Sequence, residues 1–79
     1  MVSSTVDLVI KSIEEVLEEN QQESGDITSS SNLLKDTGLD SLGLALVVVK
    51  LEEQTGKDPF ANGFRNFHTV AELAALYDE

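Results

Sequence analysis

The sequence predicts an all-α fold: a small bundle of three main helices and one short helix, with a long loop between the first and second. Three observations carry this expectation. Apolar residues recur at helical spacing in three separate stretches. A capping residue stands before each of them. The 79 residues include no cysteine, so packed apolar side chains, 41% of the chain, must hold the fold without disulfides. A length of 79 residues is one domain's worth. A domain that small buries a modest share of its surface and is held by a few kilocalories.

The first helix is expected over residues 5–20. Val6, Val9, Ile10, Ile13, Val16 and Leu17 form its apolar stripe. Ser4 is positioned as N-cap, with Asp7 three residues on as in a capping box. Glu14, Glu15, Glu18 and Glu19 fall mostly on the wet side and read as a solvated face. Residues 21–40 read as loop, because Gly25 and the run Ser29-Ser30-Ser31-Asn32 resist regular structure. Leu33 and Leu34 are expected to pin that loop to the core. A loop this long inside a compact domain tends to be functional or mobile. Gly38 then permits a turn.

Asp40 should cap a second helix over residues 41–55, which places Ser41 in its first turn. Gly56 can adopt the left-handed stop, with Pro59 a little beyond it. Residues 59–68 look irregular around one short helical turn, anchored by Phe60, Phe64 and Phe67. Thr69 and Glu72 make a capping box for a last helix over about 70–77, whose stripe is Val70, Leu73, Ala74 and Tyr77.

The charge is lopsided, with 15 Asp plus Glu against 5 Lys plus Arg and a net charge of −10. That balance argues against nucleic acid and anionic membranes, whose binding draws on basic patches. It suits basic protein partners, and it also serves solubility. Thiolate metal sites are excluded without cysteine, and a single His excludes paired-His chemistry. The N-terminus lacks the basic start and apolar run of a secretory leader. The longest apolar run, Leu44 to Val49, is far short of the roughly 20 residues that span a bilayer. A cytoplasmic monomer is the expectation.

The most specific element is Gly38-Leu39-Asp40-Ser41-Leu42, which follows the long loop and opens a helix at mid-chain. With the helix order, the acidity, and Glu52 and Glu53 late in the second helix, it resembles the acyl carrier protein family over nearly the whole chain. In that family a serine receives 4′-phosphopantetheine from coenzyme A through a dedicated transferase. The resemblance places that attachment on Ser41 and implies a non-catalytic carrier of acyl or aminoacyl thioesters. It gives Asp40 two roles, helix cap and transferase recognition. The position suits the chemistry, since a phosphodiester at a helix N-terminus meets unpaired amides and the positive end of the helix dipole. The resemblance also implies three kinds of partner: a phosphopantetheinyl transferase, a loading ligase or acyltransferase, and a downstream synthase or transferase.

On a helical wheel, Leu44, Val47, Val48 and Leu51 fall on one side of the second helix and are assigned to the core. Gly43, Lys50 and Gln54 fall opposite, in water. Leu42, Ala45, Leu46 and Val49 lie between, beside Ser41, and exceed what one core stripe requires. They read as an apolar docking patch, joined by Glu52, or else as a wide buried face. Carriers of fatty-acid synthesis usually place acidic residues where Gly43 and Leu46 stand. Their absence points to a specialised lipid, polyketide or secondary-metabolite pathway. Gly43 should also weaken the first turn by about 1 kcal/mol relative to Ala, loosening the chain near Ser41.

Two other classes of function stay in view. One is a small acidic helical adaptor with no prosthetic group. The other is an enzyme, which the absent cysteine, the single His and the lack of room for a pocket of ordinary size disfavour. His68 reads as structural or solvent-exposed.

Overall fold

The computed structural model describes residues 4–22, 25–61, 63 and 66–78. Three helices make up the regular structure: α1 (Thr5–Glu19), α2 (Ser41–Thr55) and α3 (Val70–Tyr77). α1 is the central element, and α2 and α3 each pack against it. The expected all-α bundle is the fold.

α1 starts where Ser4 Oγ accepts the amide of Asp7 at 3.1 Å. Its apolar stripe then buries Val9, Ile13, Val16 and Leu17 almost completely. The helix ends in a paired C-terminal motif. Gln22 N–H donates to Leu17 C=O at 2.8 Å, and Gln21 N–H donates to Glu18 C=O at 3.0 Å. That geometry puts Gln21 at φ 60°, a left-handed position that glycine usually fills.

The long loop is fastened to the start of α3 by backbone bonds that sequence patterns do not reveal. Asn32 and Thr69 form an isolated antiparallel bridge. Around it, Leu33 N–H donates to His68 C=O at 2.9 Å, Val70 N–H to Ser31 C=O at 3.1 Å, and Ala71 N–H to Ser29 C=O at 2.9 Å. Leu33 is the apolar anchor, at 2% exposure. Leu34 is not, at 49% exposure. The reason is a local turn: Asn32 Oδ1 accepts the amides of both Leu34 and Lys35, which swings Leu34 outward.

The expected short helix between α2 and α3 is represented by overlapping turns among the described residues. Ala61 N–H donates to Asp58 C=O, and Gly63 N–H donates to Phe60 C=O. Phe60 and Phe67 are half-buried against the core, with ring centroids 5.7 Å apart. Phe64, the third expected anchor, lies outside the described residues.

α3 closes the core with Val70, Leu73, Ala74, Leu76 and Tyr77, all buried. Lys57 Nζ donates to the Tyr77 carbonyl at 2.9 Å and satisfies one of the open carbonyls at the helix end. The Tyr77 hydroxyl is buried with no hydrogen-bond partner among the described residues.

Candidate functional site

The end of the loop places the start of α2. Thr37 Oγ1 donates to Leu33 C=O and accepts the amide of Leu39, so the chain folds back on its own anchor. Gly38 turns at φ 87°, and Leu39 drops into the core. Asp40 then follows in extended conformation as the N-cap, its Oδ1 accepting the Gly43 amide at 2.7 Å. Ser41 is the first helical residue, and it is exposed.

Counting donors shows what this cap leaves open. A helix start has unpaired amides, and Asp40 serves the one from Gly43. The amides of Ser41 and Leu42 have no hydrogen-bond partner among the described residues. They stand at the positive end of a 15-residue helix.

Beside Ser41 runs an apolar trough of about 430 Å³. One wall is α2, through Leu44, Ala45, Val48 and Val49, and the other is Phe60 and Phe67. Ser41 stands at its edge as a lining residue. The expectation that the chain lacks room for a pocket does not hold, because Phe60 and Phe67 stand across the trough from α2.

The orientation of α2 corrects the helical wheel. The buried face is Gly43, Val47 and Leu51. Leu44 and Val48, assigned to the core, are half-buried and line the trough instead. Gly43, assigned to water, lies at the α1 contact, where a Cβ would come within 3.1 Å of Leu39 Cδ2, 3.2 Å of Asp40 Oδ1 and 3.7 Å of Val16 Cγ1. The tight neighbours belong to the helix's own start, Leu39 and Asp40, and Val16 of α1 is in ordinary contact. Lys50 is not free in water either. Its Nζ reaches Glu19 Oε1 at 3.4 Å and Glu15 Oε2 at 3.8 Å, tying α2 to α1. The wheel pointed elsewhere because Leu42 to Val49 is apolar or small throughout, so no polar side marks the outside.

The four residues read as a docking patch are all exposed: Leu42 at 72%, Leu46 at 43%, Val49 at 48%, and Ala45. Ala45 and Val49 belong to the trough wall, whereas Leu42 and Leu46 border a second hollow toward α1. Glu52 is half-buried one turn further on. His68 is exposed, its carbonyl engaged by the loop.

The start of α2 thus presents an exposed serine beside an apolar trough. The family model described as phosphopantetheine attachment site matches residues 7–77, and the chain belongs to that family. No curated protein and no solved structure matches the chain. Membership makes the chain a non-catalytic carrier of covalently attached 4′-phosphopantetheine, served by a phosphopantetheinyl transferase and by acyl-handling enzymes. The site fits such a group: an accessible hydroxyl, open amides for a phosphodiester, and an apolar surface alongside. Among the described residues, no helix is long and apolar enough to cross a membrane.

Proposed function

We propose that Ser41 bears the phosphopantetheine arm and that the chain is a specialised carrier of apolar acyl groups in a lipid, polyketide or secondary-metabolite pathway. One observation carries the reading: an exposed serine opens α2 at the edge of an apolar trough, its own amide and that of Leu42 unpaired among the described residues. Ser41 Oγ forms a new bond to the pantetheine-side phosphorus of coenzyme A. The anhydride bond breaks, adenosine bisphosphate leaves, and the hydroxyl proton passes to a base of the transferase. The open amides of Ser41 and Leu42 then face the resulting phosphodiester anion. Bound there, the arm supplies a thiol that holds cargo as a thioester. Leu44, Val48, Phe60 and Phe67 offer that cargo an apolar wall and no charge to pair with, which favours acyl groups over aminoacyl groups. Leu42, Ala45, Leu46, Val49 and Glu52 serve as partner contacts, with more apolar surface than charge.

Incubation with coenzyme A and a broad-specificity phosphopantetheinyl transferase tests this. The wild type should gain one phosphopantetheine mass, and Ser41→Ala should gain none while melting like the wild type. An unmodified wild type, beside a control carrier that is modified, would turn the reading toward the adaptor without a prosthetic group. Leu46→Glu should keep the fold and slow loading by the native partner, and an unchanged loading rate would remove that residue from the docking face.

A further inference from the structure

The trough beside Ser41 offers a guest very little to hydrogen-bond with. Among the described residues, Ser41 is the one lining residue whose side chain carries a polar atom, and it stands at the edge. Half-buried Leu44, Val48, Phe60 and Phe67 form the floor, and exposed Ala45 and Val49 the rim. The backbone behind them is engaged as well. Ala45 to Val49 lie inside α2, where amides and carbonyls bond one another. Phe60 N–H donates to Asp58 Oδ1 at 3.2 Å, and Phe60 C=O accepts from Gly63 N–H at 3.0 Å. The amides of Ser41 and Leu42, without partners among the described residues, stand at the helix start, the place for the phosphodiester.

We infer that the trough selects fully reduced acyl groups, so that this carrier receives a finished acyl group and hands it on intact, rather than holding intermediates with a β-keto or β-hydroxyl oxygen. The inference rests on Ser41 as the attachment residue and on the trough as the seat of the cargo. A saturated acyl group can lie along the wall and take apolar surface out of water on both sides. An oxygen on its β-carbon must either meet that wall without a partner or turn to water and draw the neighbouring carbons off with it. Unpaired burial of a carbonyl or hydroxyl lowers the ratio of seated to unseated cargo by about fivefold to hundredfold. Building an acyl group by condensation and reduction passes through both kinds of oxygen in each round, and those intermediates would stay unseated here. The supplying reaction is therefore acyl transfer from an activated acyl donor. A C–S bond forms at the arm's thiol, and the donor's leaving group departs with the thiol proton. The consuming reaction is attack on the thioester by an alcohol or amine. A C–O or C–N bond forms, the C–S bond breaks, and the nucleophile's proton goes to sulfur.

The test compares three cargoes of one length. Ser41 to Val49 spans about 12 Å along α2, room enough for an octanoyl group. A broad-specificity transferase loads octanoyl, 3-oxooctanoyl and 3-hydroxyoctanoyl arms from the matching coenzyme A thioesters, and mass spectrometry confirms each. The readouts are melting temperature and the NMR shifts of Val48, Val49, Phe60 and Phe67, against the protein bearing the arm without cargo. Octanoyl should raise the melting temperature and move these signals. Both oxygenated groups should do less, with at least about a fivefold lower ratio of seated to unseated cargo. Ala45→Phe fills the trough from its exposed rim, and should accept the octanoyl arm but lose the rise. Val48→Thr puts a hydroxyl on the floor and should narrow the gap between octanoyl and 3-oxooctanoyl. Equal effects from the three cargoes would overturn the inference, as would an octanoyl rise that survives in Ala45→Phe or a gap unchanged in Val48→Thr. Octanoyl attached without any movement of the trough signals would overturn it too, while leaving Ser41 as the attachment residue. If Ala45→Phe does not fold, the three cargoes on the wild type decide. A wild type that never gains mass defeats the attachment reading itself.

Discussion

The starts of α2 and α3 use the same capping chemistry and end up in opposite states. At α3 every early donor is taken: Val70 and Ala71 amides go to loop carbonyls, and the Glu72 amide goes to Thr69 Oγ1. The Glu72 carboxylate reaches back to the amides of His68 and Thr69 at 2.9 and 3.0 Å, completing the capping box. At α2, Asp40 takes the Gly43 amide and leaves those of Ser41 and Leu42 without a partner among the described residues. The difference is supplied by the loop, which pairs with one helix start and merely delivers the other. A closed start is a fastening. An open start, with a hydroxyl on it, is a place to attach an anion.

The largest expected effect comes from breaking the fastening at its anchor. Leu33→Ala should destabilise the domain by about 2–5 kcal/mol, since it removes a buried side chain and loosens the loop paired with α3. Leu34→Ala should stay within about 0.5 kcal/mol, because Leu34 points to solvent. Equal costs in chemical denaturation would mean that Leu33 does not anchor the loop.

Next is the far end of α3. Burial first, and then the Glu52 and Asp58 charges, push the Tyr77 hydroxyl up from 10.0 to about 12. The folded state therefore holds this proton more tightly than the unfolded chain. Its contribution is complete below pH 10 and is lost as the pH rises toward 12. Tyr77→Phe should blunt this alkaline loss of stability. At neutral pH it should match or exceed the wild type, since the hydroxyl it removes has no partner among the described residues. A steep loss that persists in Tyr77→Phe would assign the alkaline transition to other groups.

The caps come third. Asp40→Ala and Thr69→Ala should each cost about 1 kcal/mol, yet unfasten different things. Thr69→Ala should speed amide exchange at Leu33, Val70 and Ala71, two of them in the helix and one far away in the loop. Asp40→Ala should speed exchange at Gly43 and its neighbours alone. Matching exchange patterns would erase the contrast between the two helix starts.

The smallest effect is the pH dependence of the closed start. The backbone hydrogen bond from His68, then that from Thr69, holds the Glu72 carboxyl below its ordinary 4.5. A depressed carboxylate stabilises the fold above that ordinary value, and the contribution is lost as the pH falls through the depressed one. Glu72→Gln should melt slightly below the wild type at neutral pH, and the gap should close in acid. A gap that stays constant with pH would mean that the charge of Glu72 contributes nothing.

Much of this could be read from residues in order. The bounds of α2 and α3, the caps Ser4, Asp40 and Thr69, the left-handed Gly56 at φ 70° and the capping box are local features, each confined to a few consecutive residues. Ser41 at the start of α2 followed from Asp40 in the same way. The motif around it marked the family because helix order and charge agreed with it. Tertiary structure decided which way α2 faces and what the loop does. An apolar run such as Leu42 to Val49 can bury any side, so packing against α1 decided it, with Gly43, Val47 and Leu51 turned inward. That rotation turned Leu44 and Val48 from core residues into a trough wall, and split the exposed leucines from it. The pairing of Ser29–Leu33 with His68–Ala71 joins segments far apart in sequence through backbone groups that every residue possesses. Side-chain identity carries no signal for such a contact, so the closure of one helix start and the openness of the other became visible only in three dimensions.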